Sequence, residues 1–330
     1  MKRMKSIFER ILVPLDGSSV AERVLPFVAE FASKMDGQVT LLTACSAGDP
    51  LKHTFDSYLG VKTEQLRSQG IKVKSAIVHG DPAEGILDYA EANGAGLIAV
   101  CTHGEGGASR WPLGSIAHKV VLRSHVPVLL VRSDGDITPL SKDKYKVLVT
   151  LDGSPVSESI LPYVEGIATG AQCEVLLLRI AEPFRLVRVG TYATGFRARQ
   201  YERDQRDMID KAKKAALLYL GEREKSLCGK NIPTEVACFL GKPAESILQC
   251  AEDLKADMIA LATHGFSGIS RWAFGSVASR VVEGASQPVL LVRPPLPGPV
   301  QRQPIAEDDS ERESGTLAGF VMSSEAPVRT

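Results

Sequence analysis

Short aliphatic runs alternate along the chain with longer stretches in which apolar residues recur every three or four positions. The short runs have the length and composition of buried β-strands, and the longer stretches have the periodicity of amphipathic helices. This alternation predicts right-handed βαβ units and an open parallel sheet with helices on both faces, an α/β fold. In the first half we predict strands at 10–15, 38–45, 71–78, 96–101 and 127–132, and helices at about 20–34, 56–69, 82–92 and 114–123.

The second half repeats the pattern of the first. The sequence ILVPLDGSSVAERVLPFV at 11–28 recurs as VLVTLDGSPVSESILPYV at 147–164, and THGEGGASRWPLGSIAHKVV at 102–121 recurs as THGFSGISRWAFGSVASRVV at 263–282. Such self-similarity identifies a tandem duplication. For this half we predict strands at 145–150, 173–180, 234–239, 257–262 and 288–293, and helices at 156–169, 199–226, 243–254 and 275–284.

The duplication and the local composition predict the domain limits. We expect a first domain at 7–133, a polar linker at 134–144 and a second domain at 145–294. The second copy is longer, and the polar, arginine-rich stretch near 185–205 is the expected insertion. Residues 295–330, rich in proline and then in charge, predict a disordered tail.

Composition narrows the class of protein. With 39 basic and 39 acidic residues among 330, the chain lacks the charge excess of a typical nucleic-acid binder. We therefore expect no nucleic acid as a partner. No apolar run reaches the roughly 18 residues that cross a bilayer, and no signal peptide is evident, so we expect no membrane as a partner either. The six cysteines form no CxxC pair and no zinc spacing, which predicts no metal site and reduced thiols in the cytoplasm.

A glycine-rich loop follows the fourth predicted strand of each half. Thr102-His103-Gly104 is followed after nine residues by Gly114-Ser115, and Thr263-His264-Gly265 is followed after nine by Gly275-Ser276. A loop of this kind that ends at a helix N-terminus forms an anion site, for which a phosphate is the natural ligand. In the alternative interpretation the glycines make a tight turn and Ser115 and Ser276 are helix N-caps.

An aspartate closes the first strand of each half. Asp16 and Asp152 both lie in the phrase Leu-Asp-Gly-Ser, at the sheet edge where ligands of open α/β folds bind. Such a carboxylate can accept hydrogen bonds from the hydroxyls of a ribose. The alternative is a local Asp-Gly-Ser turn that caps the next helix. Together with the anion site, the aspartates suggest a nucleotide.

These phrases, followed by Pro-Val-Leu-Leu-Val-Arg, resemble the universal stress protein family, here over 7–133 and 145–294 as a tandem pair. The resemblance implies two repeated five-stranded parallel-sheet domains of the adenine nucleotide alpha-hydrolase-like fold, with strand order 3-2-1-4-5. It implies an adenine nucleotide such as ATP or AMP, with Mg²⁺ as a candidate companion ion. The implied contacts are Asp16 and Asp152 to ribose, the backbone at Ala44 and Ile180 after strand 2 to adenine, and, to phosphates, Gly104, Gly107, Gly114, Ser115 and Ile116 with Gly265, Gly268, Gly275, Ser276 and Val277.

The sequence departs from the ATP-binding pattern of that family at one position of each half. The pattern has a glycine two residues before the histidine, where this chain has Cys101 and Ala262. A Cβ there reduces the close backbone approach that glycine permits. The loops also differ, because Glu105 places a negative charge beside the first phosphate site and Phe266 does not. We therefore expect the second site to bind more strongly, unless a magnesium ion reverses the order.

Other signals for catalysis are weak. His103 and His264 have no acid or nucleophile that recurs with them, so we interpret them as loop-structuring residues and predict that the protein is not an enzyme. Neither a Walker A lysine nor GxGxxG occurs. The resulting hypothesis is a nucleotide-binding regulatory protein of the stress response. The alternatives are a nucleotide-free interaction scaffold and, third, an α/β hydrolase or nucleotidyl transferase.

The apolar fifth strand of each half predicts how the halves associate. Residues 127–131 and 288–292 are both Pro-Val-Leu-Leu-Val and lie at a sheet edge in the implied strand order, where an uncovered strand promotes aggregation. We expect the two copies to pair with each other in antiparallel fashion, because the linker keeps them at high effective concentration. A further homodimer is compatible with this arrangement.

Overall fold

A computed structural model gives the fold, and it describes residues 8–45, 52–103, 113–133, 145–181, 196–263 and 275–293. The predicted linker and tail lie outside these residues, as does the predicted insertion up to residue 195. Strands and helices alternate through both repeats, and the α/β class is confirmed.

The strands of the described chain lie within two residues of their predicted limits. Each ends within two residues of a glycine or a polar residue. In the first repeat they are β1 (Arg10–Pro14), β2 (Gln38–Cys45), β3 (Lys72–His79), β4 (Leu97–Cys101) and β5 (Val128–Val131). In the second they are β6 (Lys146–Thr150), β7 (Glu174–Ala181), β8 (Thr234–Leu240), β9 (Met258–Ala262) and β10 (Val289–Val292).

The helices follow the predictions closely, and the second repeat has the longer second helix. That helix has 33 residues and its counterpart in the first repeat has 17, so part of the predicted insertion is a helical extension. The helices of the first repeat are α1 (Val24–Met35), α2 (Lys52–Ser68), α3 (Pro82–Ala92) and α4 (Ser115–Arg123). Those of the second are α5 (Pro155–Glu158), α6 (Leu161–Ala171), α7 (Phe196–Cys228), α8 (Pro243–Asp253) and α9 (Ser276–Gly284).

One predicted helix in each repeat is interrupted near its start. The predicted helix 20–34 is a 3-10 turn at Ala21–Arg23 followed by α1, and the predicted helix 156–169 is divided into α5 and α6. Pro26 and Pro162 explain the interruption, because a proline has no N–H and its ring crowds the carbonyl four residues earlier. The sequence period alone does not show such a break.

The strands of both repeats form one ten-stranded sheet, to which each repeat contributes the five strands that the resemblance implies. Its order is β3-β2-β1-β4-β5-β10-β9-β6-β7-β8, so each repeat contributes the order 3-2-1-4-5 and the repeats meet at their fifth strands. Neighbours within a repeat are parallel. At the junction β5 and β10 are antiparallel, with Leu129 opposite Leu290. Through this junction each fifth strand is paired on both sides, β5 with β4 and β10, and β10 with β9 and β5.

The core lies on the two faces of this sheet. Successive strand residues point to opposite faces. Ile11 and Val13 belong to the core cluster that includes α1, α2, α6 and α7, whereas Leu12 belongs to the cluster that includes α3, α4, α8 and α9. The strands β5 and β10 are buried at every residue, as expected for strands covered on both faces. Among the helices described, none has the length and apolar character required to cross a bilayer.

Side chains from both repeats also meet across the junction. Phe8 packs edge-on against Phe31 and Tyr163, with ring centroids 5.3 and 6.5 Å away. The residues that follow the fifth strands donate to the last turns of helices in the other repeat. Arg132 Nη1 donates to the Ala285 carbonyl at 3.1 Å, and Arg293 Nη1 donates to the Leu122 carbonyl at 2.7 Å. A guanidinium at a helix C-terminus also complements the helix dipole.

Candidate functional site

The carboxyl ends of strands 1, 2 and 4 of each repeat meet at one edge of the sheet, and the predicted site residues lie there. At this edge Asp16 follows β1 by two residues, and its Oδ1 accepts from the amide and the hydroxyl of Ser18 at 3.0 and 2.6 Å. In the second repeat Asp152 Oδ1 accepts from the amide and the hydroxyl of Ser154 at 2.8 and 2.6 Å. Both carboxylates are therefore held in one orientation.

The intervening glycine makes this turn possible. Gly17 has φ +88° and Gly153 has φ +90°, in the left-handed region that side chains with a Cβ rarely adopt. The serine hydroxyls then accept from the amides of Ala21 and Ser157, each at 3.1 Å. The local-turn interpretation of Asp-Gly-Ser is thus correct in its geometry. It is compatible with a ribose contact, because the turn orients the carboxylate at the edge where open α/β folds bind their ligands.

The fourth helix of each repeat begins directly beside the end of strand 4. The Gly114 amide donates to the Thr102 carbonyl at 2.8 Å, and the Gly275 amide donates to the Thr263 carbonyl at 3.0 Å. Gly114 and Gly275 are themselves the N-caps, with no side-chain cap, so the alternative that Ser115 and Ser276 are N-caps is wrong. Each serine is instead the first helical residue.

The first amides of these helices have no carbonyl partner within the helix and can bind an anion. Ile116 and Val277, the second helical residues, also belong to this first turn, and Ile116 is 39% exposed. Several residues of the predicted phosphate loops lie outside the described residues. They are Gly104, Glu105, Gly107, Arg110, His264, Gly265, Phe266, Gly268 and Arg271.

The predicted adenine contacts lie inside the second strands, which corrects their placement after those strands. Ala44 is the penultimate residue of β2 and pairs in register with Val78. Ile180 is the penultimate residue of β7 and pairs with Phe239. The strands extend one residue beyond these positions because the third strands continue alongside them. The backbone here still lies at the edge that carries the aspartates.

His103 contacts two hydroxyl groups at this edge. Its Nδ1 lies 3.2 Å from Thr102 Oγ1 and 3.4 Å from Ser133 Oγ. The Ser133 amide also donates to Thr102 Oγ1 at 3.3 Å, which connects the end of β4 with the residues after β5. These contacts fit a residue that organises the loop.

The two positions that depart from the family's glycine are buried at the ends of β4 and β9. Cys101 is 7% exposed and Ala262 is 8% exposed. Burial raises the pKa of the Cys101 thiol, and the nearby amides of His103 and Thr102 reduce that rise. The thiol is therefore protonated and neutral at pH 7. The negative charge of Asp16 also raises the pKa of this thiol.

Sequence reasoning missed a polar cluster that recurs beneath both sites. Lys62 Nζ donates to Glu22 at 2.6 Å and lies over the Tyr58 ring. In the second repeat Tyr219 Oη and Arg223 both donate to Glu158 Oε1, at 2.8 and 2.9 Å. Burial, aided by the neighbouring glutamate, raises the pKa of both tyrosines. The recurring Tyr-Leu-Gly of α2 and α7 was the available sequence signal.

The second strands also carry residues that differ between the sites. Thr43 in β2 donates its hydroxyl to the Leu15 carbonyl at 3.0 Å. Two residues from the end of β7, at the corresponding position, stands Arg179, whose guanidinium lies 5.2 Å from the Tyr219 ring. Cys45 and His79 are the last residues of β2 and β3, and Cys45 Sγ lies 3.3 Å from His79 Nδ1. The second repeat has Ala181 paired with Leu240 at that place.

Comparisons with known proteins agree with this architecture. A universal stress protein of Mycobacterium tuberculosis is 26% identical over 228 residues, covering 68% of this chain and 70% of that protein. One from Mycolicibacterium smegmatis is 24% identical over 304 residues, covering 86% and 97%. The crystal structure of a universal stress protein from Archaeoglobus fulgidus has a TM-score of 0.60 at 22% identity, covering 86% and 96%, which shows a shared fold.

The sequence model of the universal stress protein family accounts for most of the chain. It matches twice, at residues 7–132 and at residues 145–293. Each match contains one complete set of five strands in the order 3-2-1-4-5, with the Asp-Gly-Ser turn and the glycine that begins the fourth helix. The chain therefore belongs to the universal stress protein family, as a tandem member with two copies of the family's domain.

Proposed function

We propose that each repeat binds one adenine nucleotide, ATP or AMP, and that the protein acts as a regulatory component of the stress response. The observation that carries this proposal is a repeated constellation at the carboxyl edge of the sheet. In each repeat a carboxylate fixed by an Asp-Gly-Ser turn lies at the end of strand 1. Beside strand 4, a helix begins at a glycine whose amide donates back to the strand.

The chemistry of a nucleotide fits these groups. The carboxylates of Asp16 and Asp152 would accept from ribose hydroxyls, and the free amides at the start of α4 and α9 would bind phosphate oxygens. The backbone of Ala44 and Ile180 would contact adenine. Mg²⁺ would neutralise part of the phosphate charge, bound mainly through the phosphates. Among the described residues no group of three or more His, Cys, Asp and Glu side chains could hold a metal.

The proposal includes binding without rapid turnover. Fast hydrolysis needs a base or an activated water placed at the terminal phosphate. His103 is directed at the hydroxyls of Thr102 and Ser133, which suits a role in holding the loop. A slowly changing occupancy would let the nucleotide report the energy state of the cell. All six cysteines are free, which favours a reducing compartment such as the cytoplasm.

We also propose that the antiparallel pairing of β5 with β10 persists in solution and defines the functional unit. The pairing leaves the two nucleotide sites on separate edges, each with its own strands. Homodimerisation of this unit is a further possibility that our proposal allows and does not require.

Calorimetry with ATP, ADP and AMP tests the binding proposal directly. We expect two sites per chain, and we expect Asp16→Ala with Asp152→Ala to lose both while far-UV circular dichroism stays unchanged. Absence of heat with all three nucleotides at millimolar concentration would refute the proposal. Rapid turnover that disappears in His103→Ala or His264→Ala would refute the non-catalytic part.

A nucleotide-free scaffold is a second candidate, favoured by the buried side chains at Cys101 and Ala262. If these side chains close the sites, Cys101→Gly and Ala262→Gly should create binding that the natural chain lacks. If the sites are open, the same variants should change affinity only a few-fold. Mass spectrometry of ligands released from gently purified protein separates the two candidates independently.

A further inference from the structure

The second repeat carries an arginine at its candidate site that the first repeat lacks. Arg179 follows Val175 and Leu177 on the face of the sheet that α7 covers. Its guanidinium lies against the Asp-Gly-Ser turn, so close that a Cβ at Gly153 would be 2.9 Å from Nη1. A cation therefore lies against the turn that holds the carboxylate we assign to the ribose.

Within the described part of the chain, no ion pair neutralises the charge of this arginine. Tyr219 lies between two guanidiniums, with Arg179 at 5.2 Å and Arg223 at 5.1 Å from its ring centroid. Arg223 pairs with Glu158, whereas no carboxylate of the described residues lies within 4.0 Å of Arg179. Lys213 adds positive charge to the same region. Burial raises the pKa of the Cys238 thiol, and the charges of Arg179 and Lys213 both lower it.

The tyrosine also fixes the arginine in place. Its hydroxyl donates to Glu158 at 2.8 Å, and Arg223 Nε donates to the same oxygen at 3.1 Å. A guanidinium stacked on a ring held in this way loses little additional side-chain entropy when it binds an anion. The site is thus prepared for a planar, two-pronged contact to a phosphate.

The first repeat has a neutral, filled surface at the same place. Thr43 replaces Arg179 and directs its hydroxyl to the Leu15 carbonyl. The open side of Gly17 faces the Phe55 ring, 3.7 Å from where a Cβ would stand. A ligand bound beside Asp16 would therefore meet no cation from β2.

The strand order determines where on a nucleotide this extra anion must be. In the order β9-β6-β7, Asp152 follows the middle strand, the phosphate-binding helix start follows β9, and Arg179 belongs to β7. The helix start therefore lies on the β9 side of the ribose position, whereas Arg179 reaches the Gly153 turn from the β7 side. Phosphates on the 5′ oxygen that extend toward the helix start extend away from the strand that carries Arg179.

We propose that the second repeat prefers adenine nucleotides that carry an additional phosphate on a ribose hydroxyl, at the 2′ or the 3′ position, and that Arg179 binds it. This inference rests on the proposed nucleotide site and adds its substrate class. The first repeat, with Thr43, takes nucleotides whose ribose hydroxyls are free. The two sites of one chain thus respond to different nucleotides.

Calorimetry on the full chain with the first site silenced by Gly114→Val tests this proposal. The titrants are adenosine 5′-monophosphate, adenosine 2′,5′-bisphosphate and adenosine 3′,5′-bisphosphate. We expect one of the bisphosphates to bind at least about tenfold more tightly than the monophosphate, as a charge-assisted contact provides. The tighter of the two identifies the hydroxyl that carries the extra phosphate.

Variants of two cations provide the matched control. Arg179→Thr, which introduces the residue of the first repeat, should abolish the bisphosphate preference and leave monophosphate affinity within about threefold. Arg179→Lys should retain part of the preference. Lys213→Ala removes the same charge away from Gly153 and should change the preference less than threefold. Circular dichroism and the thermal midpoint verify that each variant is folded.

The possible failures are distinguishable. Monophosphate binding without a gain from either bisphosphate, or a gain that survives Arg179→Thr, overturns the preference and leaves the proposed function standing. Absence of binding for all three nucleotides overturns both proposals. Bisphosphate binding that is lost in Arg179→Thr supports the preference even where the monophosphate binds too weakly to measure.

Discussion

The two repeats share the parts that form the site and differ in the parts that border it. Both have the Asp-Gly-Ser turn, the glycine at the start of the fourth helix and a glutamate-tyrosine-cation cluster below. At the border, Thr43 corresponds to Arg179, and the pair of Cys45 with His79 corresponds to two apolar residues. The two repeats thus share the turn and the helix start, and they differ in the side chains at the ends of their second and third strands.

This difference separates two kinds of constraint on the chain. The frame residues bond to the backbone within their own turn, so their substitution would loosen that turn without changing the helices and strands. Arg179 and Thr43 point from strands whose pairing does not depend on them. Specificity can therefore change in one repeat without loss of the fold, and the predictions below test that separation.

The largest effect should come from separating the repeats. Fragments 1–135 and 145–294, expressed alone, should aggregate or self-associate, because each exposes a fully apolar strand with an unpaired edge. Expressed together, they should form a one-to-one complex, since β5 can again pair with β10. Light scattering coupled to size-exclusion chromatography measures both outcomes.

A lysine at Leu129 would be an ambiguous control for this experiment. Leu129 is 1% exposed and belongs to the core of the first repeat, so the lysine would disrupt that core as well as the edge. Soluble monomeric fragments that do not associate when mixed would show that neither edge needs a partner. That result would mean that the two repeats are independent domains.

The next effect compares the two phosphate sites. Gly275→Val should lower nucleotide affinity at its site by at least about tenfold. Gly114→Val should lower total binding less, because we expect the negative charge of Glu105 to weaken phosphate binding at the first site already in the natural chain. Both glycines have φ near −60°, so a valine there adds no backbone strain. Calorimetric titration with ATP gives the affinity and the number of sites.

Titration with and without Mg²⁺ serves as the control for this pair. A larger loss from Gly114→Val in both conditions would contradict the ranking of the sites. A reversal only when Mg²⁺ is present would mean that the ion bridges Glu105 to the phosphates.

The sequence predicted the strands well because each is a short apolar run that ends at glycine or a polar residue. It also predicted that Asp16 and Asp152 follow the first strands and that Gly114 and Gly275 precede the fourth helices, since these positions recur in both repeats. It missed Arg179 because the importance of that residue comes from packing between β7 and α7, which are distant in sequence. It missed Tyr58 and Tyr219 because a tyrosine in an amphipathic helix resembles an ordinary core residue.

The tyrosines offer a smaller test of the frame. Tyr219→Phe should lower the free energy of unfolding by about 1 to 2 kcal/mol, because its hydroxyl donates to a carboxylate. Tyr58→Phe should lower it less than Tyr219→Phe, since the buried Tyr58 hydroxyl lies near Glu22 but makes no hydrogen bond of ordinary geometry among the described residues. Urea unfolding measures both. Equal losses would mean that the Tyr58 hydroxyl is also bonded in solution.

The smallest effect concerns a buried thiol that only the second repeat has. Cys173 corresponds to Gly37, since each amide donates to the equivalent carbonyl of the preceding helix, that of Ala168 or Ala32. Burial raises the pKa of Cys173 from 9.0 to about 12. Below about pH 8 the thiol is protonated in both the folded and the unfolded chain, so it contributes no pH dependence there.

Between pH 9 and 12 the unfolded chain loses this proton first, so the free energy of unfolding falls as the pH rises. One proton corresponds to a slope of at most about 1.4 kcal/mol per pH unit. Cys173→Ala should therefore make the decline between pH 9.5 and 10.5 shallower, whereas Cys228→Ala, which removes an exposed thiol, should leave it unchanged. Urea unfolding at pH 8.0, 9.5 and 10.5 measures the slope. Parallel declines for the natural chain and Cys173→Ala would mean that this thiol ionises in the folded protein as readily as in the unfolded one.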